Sequence, residues 1–164
     1  MFDIISEKLS INKNDLVIEP SAGNGSFING IEKLSNSFKL YDIEPEHERI
    51  TKQDYLLYDY QEDKENFNKI HIIGNPPFGR QSSLTIQFIK KSCEFCDTIS
   101  FILPKSFKKD SMQKHFPLDF HLIFQQDIEE KSMFCYIYLV LPYKSHKHHI
   151  SMTIKDRCVG PLIQ

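Results

Sequence analysis

The chain has 164 residues, of which 40% are hydrophobic and 26% are charged, and its formal net charge is −2. A chain of this length forms one domain that buries about 70% of its unfolded surface. The near-neutral charge excludes a global basic field, so nucleic acid would have to bind at a local basic patch. The longest apolar stretch, Phe134 to Leu141, is too short to span a bilayer, and the charged N-terminal residues are not those of a signal peptide. We therefore expect a cytoplasmic, intracellular protein that does not bind a membrane.

The first recognisable unit is a strand followed by a glycine turn and a helix. Leu16 to Ile18 form a short apolar run that is typical of a buried strand. Gly23 and Gly25 permit a tight turn in which the backbone approaches a ligand, and Phe27 to Leu34 has helical spacing. This order is typical of a nucleotide-binding α/β sheet, whose ligand lies at the carboxyl end of the strand. A dinucleotide fingerprint would need glycine at Ile28, and a phosphate loop would need Gly-Lys-Ser/Thr, which is absent.

Acidic residues end the first three predicted strands. Glu19 closes the first strand, where a carboxylate repels phosphate and suits a cationic or amino-bearing ligand. The second strand, Phe38 to Ile43, contains Asp42, which lies about 20 residues past the glycine turn and is placed to bind ribose hydroxyls. The third, Ile50 to Tyr55, contains Asp54, which could accept a hydrogen bond from an adenine amino group. Each acid alone is typical of a solvated loop or a helix cap, but their succession at strand ends predicts a nucleoside site.

The sequence Asn75-Pro76-Pro77-Phe78 follows the apolar run Ile70 to Gly74 directly. The prolines lack N–H groups and favour extended geometry in the residues before them, so the backbone leaves the strand stiffly. The side-chain oxygen of Asn75 and the carbonyl of Pro76 then form fixed acceptors beside the flat face of Phe78. This set suits a planar group that carries an NH2, whereas a rigid turn is the alternative for the motif taken alone.

The second half of the chain predicts two helices and three strands. Ser83 to Phe95 has the pattern of an amphipathic helix, Thr98 to Leu103 that of a buried strand, and Ser106 can cap a helix that runs to about Lys114. The last two strands are predicted at His121 to Phe124 and Phe134 to Leu141, joined by an acidic loop around Asp127, Glu129 and Glu130. Residues 144–164 are predicted to form a C-terminal polar extension.

These segments resemble the class I S-adenosylmethionine-dependent amino-methyltransferases with an (N/D)PP(F/Y) motif, most of all the N6-adenine DNA methyltransferases of restriction–modification systems. The likeness covers about residues 15–80, through VIEPSAGNGSF, LYDIEP, QDYL and IIGNPPFG. It implies a single Rossmann-like catalytic domain over residues 1–143, with a mostly parallel seven-stranded sheet, an antiparallel C-terminal hairpin and helices on both faces. The large target-recognition domain of many restriction-type members is missing here, so a separate recognition subunit is an expected partner.

The resemblance also implies the roles of individual residues. The Ser21–Gly25 loop would contact the methionine end of the cofactor, Glu19 its amino group, Asp42 its ribose and Asp54 its adenine amino group. The full set expected to bind S-adenosyl-L-methionine is Glu19, Ser21, Ala22, Gly23, Gly25, Asp42, Asp54, Tyr55 and Asn75. Catalysis is assigned to Asn75, Pro76, Pro77 and Phe78, and substrate binding to Phe78, Arg80, Lys105, Phe107, Lys108 and Lys109. Phe107 and Phe134 are candidates to cover the second face of the target base.

The expected reaction is methyl transfer to the exocyclic N6 amino group of adenine in nucleic acid, with DNA favoured over RNA. The same chemistry on RNA or on a protein glutamine amide is an alternative, as is a non-catalytic subunit that retains the fold. The lysine cluster counts against a protein substrate. The intact Gly23, Gly25, Asp42 and Asn75 count against a non-catalytic subunit.

No metal site is expected from the cysteines and histidines. Cys93 and Cys96 form a C-x-x-C pair inside a helical pattern, and no second pair follows at zinc spacing. The tract of His146, His148 and His149 is more typical of a solvated tail than of a metal site.

Overall fold

The computed structural model describes residues 1–130 and 133–142, and the side chains of residues 1–127. The helices are α1 (Phe2–Lys8), α2 (Ile28–Leu34), α3 (Gln61–Asn66), α4 (Ser83–Cys93) and α5 (Asp110–Gln113). The strands are β1 (Leu16–Glu19), β2 (Ser37–Asp42), β3 (Thr51–Lys52), β4 (Ile70–Gly74), β5 (Thr98–Pro104), β6 (Phe120–Glu130) and β7 (Met133–Pro142). Short 3-10 turns lie at Tyr55–Leu57, Arg80–Ser82 and Lys105–Lys108. The predicted C-terminal extension, residues 144–164, lies outside the described residues.

The strands form one sheet in the order β3-β2-β1-β4-β5-β7-β6. The strands β1 to β5 run parallel to one another, whereas β7 is antiparallel to both β5 and β6. The prediction of a mostly parallel α/β sheet is confirmed; its parallel part has five strands, and the antiparallel pair lies at one edge. The chain passes from β1 to β2 and β3 on one side of β1 and then returns to β4 on its other side. Such a reversal of strand order creates a ligand-binding crevice at the carboxyl ends of the central strands.

Both faces of the sheet are covered by apolar side chains from helices. Leu16 and Ile18 of β1 belong to a buried cluster with Phe88 of α4, whereas Val17 belongs to a second cluster with Ile31 of α2. Successive strand residues point to opposite faces, so a strand with every residue buried requires a layer on each side. Helices therefore lie on both faces, as the sequence predicts.

The third strand is shorter than predicted. Only Thr51–Lys52 pair with β2, whereas the sequence predicts a strand from Ile50 to Tyr55. The Asp54 side chain accepts a hydrogen bond from the Leu56 N–H at 2.9 Å and so starts a 3-10 turn. This cap draws the chain away from the sheet and places Tyr55 in the core, where 1% of its surface is exposed.

Three predictions for the second half need correction. The helix predicted from Ser83 to Phe95 ends at Cys93. The helix predicted from Ser106 to about Lys114 is instead a 3-10 turn and the short helix α5, separated at Lys109, whose ψ of 139° is extended. The prediction of an acidic loop is wrong. Asp127, Glu129 and Glu130 belong to β6, which pairs with β7 as far as Glu130. Backbone hydrogen bonds extend this hairpin although its side chains are polar. Helices α1 and α3 are not predicted by the sequence reasoning.

Candidate active site at the carboxyl ends of the central strands

A cavity of about 460 Å³ opens where β1 and β2 end. It brings together six residues that the sequence predicts for the site, namely Ser21, Gly23, Asp42, Asp54, Tyr55 and Pro77. The cavity is also lined by residues that the sequence reasoning does not select, namely Pro20, Ile43, Glu44, Glu46, Leu56, Leu84 and Phe88. Ile43 could have been identified from the sequence, since it is an apolar residue directly after a strand-ending acid. In the structure its side chain is 62% exposed. Sequence segments far apart in the chain thus form one site.

The glycine turn after β1 has the geometry that the sequence predicts. Gly23 and Gly25 have φ values of +51° and +81°, a region that residues with a side chain rarely adopt. A Cβ at Gly25 would lie 2.7 Å from the end of the Ile28 side chain, so a larger residue there would also force that side chain to shift. Ala22 is buried below the turn and its N–H donates to the Tyr41 carbonyl at 2.9 Å. The turn is therefore fixed against β2, although Ala22 and Gly25 do not line the cavity.

Asp42 holds the glycine turn while it lines the cavity. One carboxylate oxygen accepts the Gly23 N–H at 2.8 Å, and the other accepts the Glu44 N–H at 2.9 Å. Each oxygen of a carboxylate has two acceptor positions, so further donors from a ligand can still bind. The two amide contacts orient the carboxylate, which is a requirement for selective binding of a pair of hydroxyls.

The charge of the cavity is one-sided. Four carboxylates line it, from Asp42, Glu44, Glu46 and Asp54, and none of the lining residues in the described part of the chain is Lys, Arg or His. Such a cavity repels phosphate and attracts cations and hydroxyl or amino donors. A nucleoside with a sulfonium and an ammonium group, such as S-adenosylmethionine, fits this set of acceptors. Apolar Ile43 and Leu56 offer surface to its flat base.

Glu19 is buried next to this site without a hydrogen-bond partner for one oxygen. Its side chain is at the end of β1 and is 3% exposed, and Oε2 has no partner among the described residues. Burial, with the nearby charge of Asp42, raises the pKa of the Glu19 carboxyl to about 8. A buried polar atom without a hydrogen-bond partner is costly. A ligand that brings a donor or a positive charge would satisfy Oε2 and favour the ionised carboxylate.

We expect the Glu19→Gln variant to change how stability depends on pH. The folded protein holds a proton on Glu19 more tightly than the unfolded chain, whose glutamate pKa is near its usual value of 4.5. The free energy of unfolding of the wild type should therefore decrease as pH rises from about 4.5 to about 8, by at most about 1.4 kcal/mol per pH unit. The glutamine amide cannot ionise, so the variant should lose this decrease. Urea denaturation at several pH values measures it.

The exposed residue Glu65 provides the matched control for this measurement. Glu65→Gln removes the same group from the surface, and its stability should follow that of the wild type across the same pH range. A constant difference in unfolding free energy between Glu19→Gln and the wild type at all pH values would contradict a raised pKa at Glu19.

The Asn75–Phe78 segment lies beside the glycine turn. The Ser21 hydroxyl donates to the main-chain carbonyl of Asn75 at 3.1 Å, and Pro77 lines the same cavity as Ser21. The Asn75 side chain is exposed and Phe78 is half-buried. The two motifs that the sequence separates by about fifty residues thus meet at one edge of the sheet, although Asn75, Pro76 and Phe78 do not line the cavity.

One predicted aromatic contact is revised by the structure. Phe107 is completely buried in the apolar core, so its ring is not accessible and the prediction that it stacks on a base is wrong. The structure does not describe the side chain of Phe134, so its role stays a prediction. Tyr55 lines the cavity, but its hydroxyl is bonded to Ser92 at 2.8 Å, so the ring is fixed in the core.

The predicted basic residues follow the end of β5. Gly74 of β4 pairs with Phe101 of β5, so the chain after Pro104 leaves the same end of the sheet as Asn75. Lys105, Lys108 and Lys109 are exposed there, and Arg80 is exposed in the turn before α4. The Lys108 ammonium forms an ion pair with Asp127 at 2.7 Å, which lowers the pKa of the Asp127 carboxyl. Phosphate would have to compete with Asp127 for Lys108.

The two cysteines of the C-x-x-C pair are free thiols, with the half-buried Cys93 at the end of α4 and the buried Cys96 just after it. Burial raises the pKa of the Cys93 thiol to about 12 and that of Cys96 well above its usual value. Raised thiol pKa values disfavour the thiolate that metals and electrophiles require. Among the described residues, no group of three His, Cys, Asp or Glu side chains could hold a metal ion.

No helix in the described part of the chain is long and apolar enough to cross a membrane.

Solved structures of methyltransferases share this fold at low sequence identity. TrmN from Thermus thermophilus superposes with a TM-score of 0.61 at 13% identity over 86% of this chain, which spans 48% of the TrmN chain. An rRNA methylase from Streptococcus thermophilus gives 0.59 at 13% identity, with 86% of this chain and 93% of that chain covered. The magnesium protoporphyrin IX methyltransferase of Synechocystis PCC 6803, solved with bound SAM, gives 0.63 at 6% identity and covers 86% and 76%. No family model and no curated protein matches the sequence. The three superpositions show that the chain has the Rossmann-like fold of these methyltransferases.

Proposed function

We propose that the protein is an S-adenosylmethionine-dependent methyltransferase that methylates an exocyclic amino group of a nucleic-acid base, the N6 amino group of adenine. The proposal rests on one observation, namely that the predicted cofactor site and the predicted amino-group site meet. Pro77 of the Asn-Pro-Pro-Phe motif lines the same cavity as Asp42 and the glycine turn. A cofactor in the cavity and an amino group on the motif would therefore be neighbours, as direct methyl transfer requires.

The cavity residues fit the parts of the cofactor by their chemistry. Asp42, which is oriented by two backbone amides, would accept hydrogen bonds from ribose hydroxyls. Asp54 lines the cavity at the start of the next turn and would accept from the adenine amino group. The Ser21–Gly25 turn and Glu19 would face the methionine end. The cofactor supplies an activated methyl group on a positively charged sulfur.

The Asn75–Phe78 segment would prepare the amino group. The lone pair of an exocyclic adenine nitrogen is delocalised into the ring, which makes the nitrogen a poor nucleophile. The Asn75 side-chain oxygen and the Pro76 carbonyl would each accept a hydrogen bond from one of its two N–H groups and favour a pyramidal nitrogen. These fixed dipoles also stabilise the positive charge that develops on nitrogen during transfer. In-line attack is then a matter of positioning, and no ionised general base is needed first.

A base in a duplex must leave the stack before it can reach such a site. Phe78 is half-buried at the end of the motif, and the exposed part of its ring would offer a platform for the displaced base. Backbone phosphates would then lie near the lysines that follow β5. This arrangement separates the acidic cavity for the cofactor from the basic surface for the nucleic acid.

Replacing Lys105, Lys108 and Lys109 together by alanine should weaken nucleic-acid binding and make its salt dependence shallower. Each phosphate contact that is lost should reduce the slope of log K against log salt by about 0.7 to 0.9. The ion pair with Asp127 should reduce the contribution of Lys108. Fluorescence anisotropy with labelled single-stranded and duplex oligonucleotides at several salt concentrations measures the slope.

A matched triple variant separates the location of the charges from their number. Lys33, Lys64 and Lys69 are exposed residues on α2, on α3 and before β4. Their replacement by alanine changes the net charge equally and should leave the salt slope as in the wild type. Equal slopes for all three proteins would exclude phosphate contacts at the lysines after β5.

RNA is the second candidate substrate, and one comparison favours it. The rRNA methylase from Streptococcus thermophilus is matched over 93% of its length, so a chain of similar extent carries the same fold in a protein named for RNA. DNA is favoured by the likeness of the Asn-Pro-Pro-Phe region to restriction-type enzymes. The proposal includes a separate subunit that recognises the target sequence. The intracellular location of the protein is a further prediction. Methylation of matched DNA and RNA oligonucleotides in parallel distinguishes the two substrates.

A further inference from the structure

The Asn75–Phe78 segment is held in place through its carbonyl groups. Pro76 and Pro77 have no N–H, so this part of the backbone cannot be fixed by donating hydrogen bonds. Two hydroxyls from other elements bind it instead. Ser21 donates to the Asn75 carbonyl at 3.1 Å, and Thr85 donates to the Pro77 carbonyl at 2.9 Å.

Thr85 is completely buried in the first turn of α4, although its hydrogen bond reaches back to a segment eight residues earlier. The intervening turn contains Gln81 and Ser82, with φ values of 55° and 61°. Left-handed backbone costs a residue with a side chain about 1–2 kcal/mol, and it persists only where the surroundings enforce it. The Thr85 hydroxyl closes this strained turn against the motif and is one of the contacts that enforce it.

The two hydroxyls leave the middle carbonyl of the segment without a donor. None of the described residues donates to the Pro76 carbonyl, whereas its neighbours on both sides, Asn75 and Pro77, are bound. Peptide groups are planar, so fixing the carbonyls before and after Pro76 restricts the direction of the Pro76 carbonyl as well. This alternation of bound, unbound and bound carbonyls is what an acceptor for a substrate N–H needs.

We propose that Thr85, together with Ser21, is a positioning residue that aims the Pro76 carbonyl at the substrate amino group. This inference rests on the proposed methyl transfer and adds the residues that hold its acceptors. Ser21 also belongs to the glycine turn, so its hydrogen bond couples the cofactor side to the substrate side. Thr85 does not line the cavity, and its hydrogen bond to the site is made to the Pro77 carbonyl.

The test compares Thr85→Val with Thr85→Ser. Valine keeps the shape of threonine but removes the hydroxyl, and serine keeps the hydroxyl but removes the buried methyl group. We expect Thr85→Val to lower the turnover number by about 10- to 100-fold, the scale of a misplacement of about 1 Å, with nearly unchanged cofactor affinity. Thr85→Ser should keep a turnover number close to that of the wild type even where its melting temperature is lower.

Thr98→Val is the matched control for a buried threonine hydroxyl. Thr98 is buried at the start of β5, and its hydroxyl is bonded to His71 at 2.8 Å, at the end of the sheet away from the motif. This variant should lose stability but retain its turnover number. A Thr85→Val enzyme as fast as the wild type, or Thr85→Ser and Thr98→Val enzymes as slow as Thr85→Val, would overturn the positioning role. An inactive wild type on every substrate would instead contradict the proposed function itself.

Discussion

Asn75→Ala should lower the turnover number of methyl transfer by about 10²- to 10³-fold, the usual effect of removing one preorganised hydrogen-bond partner from a reacting group. The variant lacks the side-chain oxygen that accepts one N–H bond of the substrate amino group. Its main-chain carbonyl, which binds the Ser21 hydroxyl, is retained, so the glycine turn should be unaffected. Cofactor affinity should therefore stay near that of the wild type, since the Asn75 side chain does not line the cavity.

Phe78→Ala should cause a different defect from Asn75→Ala. Loss of the aromatic ring should weaken nucleic-acid binding by about 1–3 kcal/mol through lost base stacking, while the chemical step remains fast once the base is bound. Single-turnover methylation with saturating nucleic acid separates the two defects. Asn68, an exposed asparagine before β4, is the matched control for Asn75, and its replacement by alanine should have no effect. Full activity in Asn75→Ala would mean that the motif is only a stiff turn.

Asp42→Ala should weaken S-adenosylmethionine binding by about 1.5–3 kcal/mol, the scale of charge-assisted hydrogen bonds to ribose hydroxyls. The structure adds a second cause, because the Asp42 carboxylate also binds the N–H groups of Gly23 and Glu44. Its removal should loosen the glycine turn as well. Asp42→Asn keeps one acceptor oxygen and should therefore bind the cofactor with intermediate affinity.

Isothermal titration calorimetry with S-adenosylmethionine measures both Asp42 variants. Asp3, an exposed residue in the first turn of α1, is the matched control, and its replacement by alanine should leave the affinity unchanged. Unchanged affinity in Asp42→Ala would remove this carboxylate from the cofactor site and would move the site away from the cavity at the ends of β1 and β2.

The part of the site that follows β1, β2 and β4 could be predicted from the sequence because its signals are local. A buried strand, a glycine turn and a stiff proline pair each depend on neighbouring residues, and parallel strands bring their carboxyl ends to one edge. Gly23, Asp42 and Pro77 therefore meet in the structure as adjacent parts of one cavity. The acidic lining from Glu44 and Glu46 was not predicted, since nothing in their local sequence distinguishes them from solvated loop residues.

The errors lie where tertiary contacts override local pattern. Phe107 is flanked by lysines in the sequence, but its ring is buried in the core while Lys105, Lys108 and Lys109 are exposed to solvent. The segment after it does not continue as a helix, because Lys109 is extended. The polar end of β6 is a strand because its backbone pairs with β7, a partner that composition cannot reveal.

The most direct test of the proposed methyltransferase activity is the transfer of a tritiated methyl group from S-adenosylmethionine to DNA, RNA and protein, offered side by side to the purified protein. Label should enter nucleic acid, and nucleoside analysis should identify it as N6-methyladenine. Asn75→Ala, measured in parallel, should reduce incorporation to a small fraction. Label in protein alone, or equal label in nucleic acid with wild type and Asn75→Ala, would contradict the proposal that the Asn-Pro-Pro-Phe segment presents a base amino group to the cofactor.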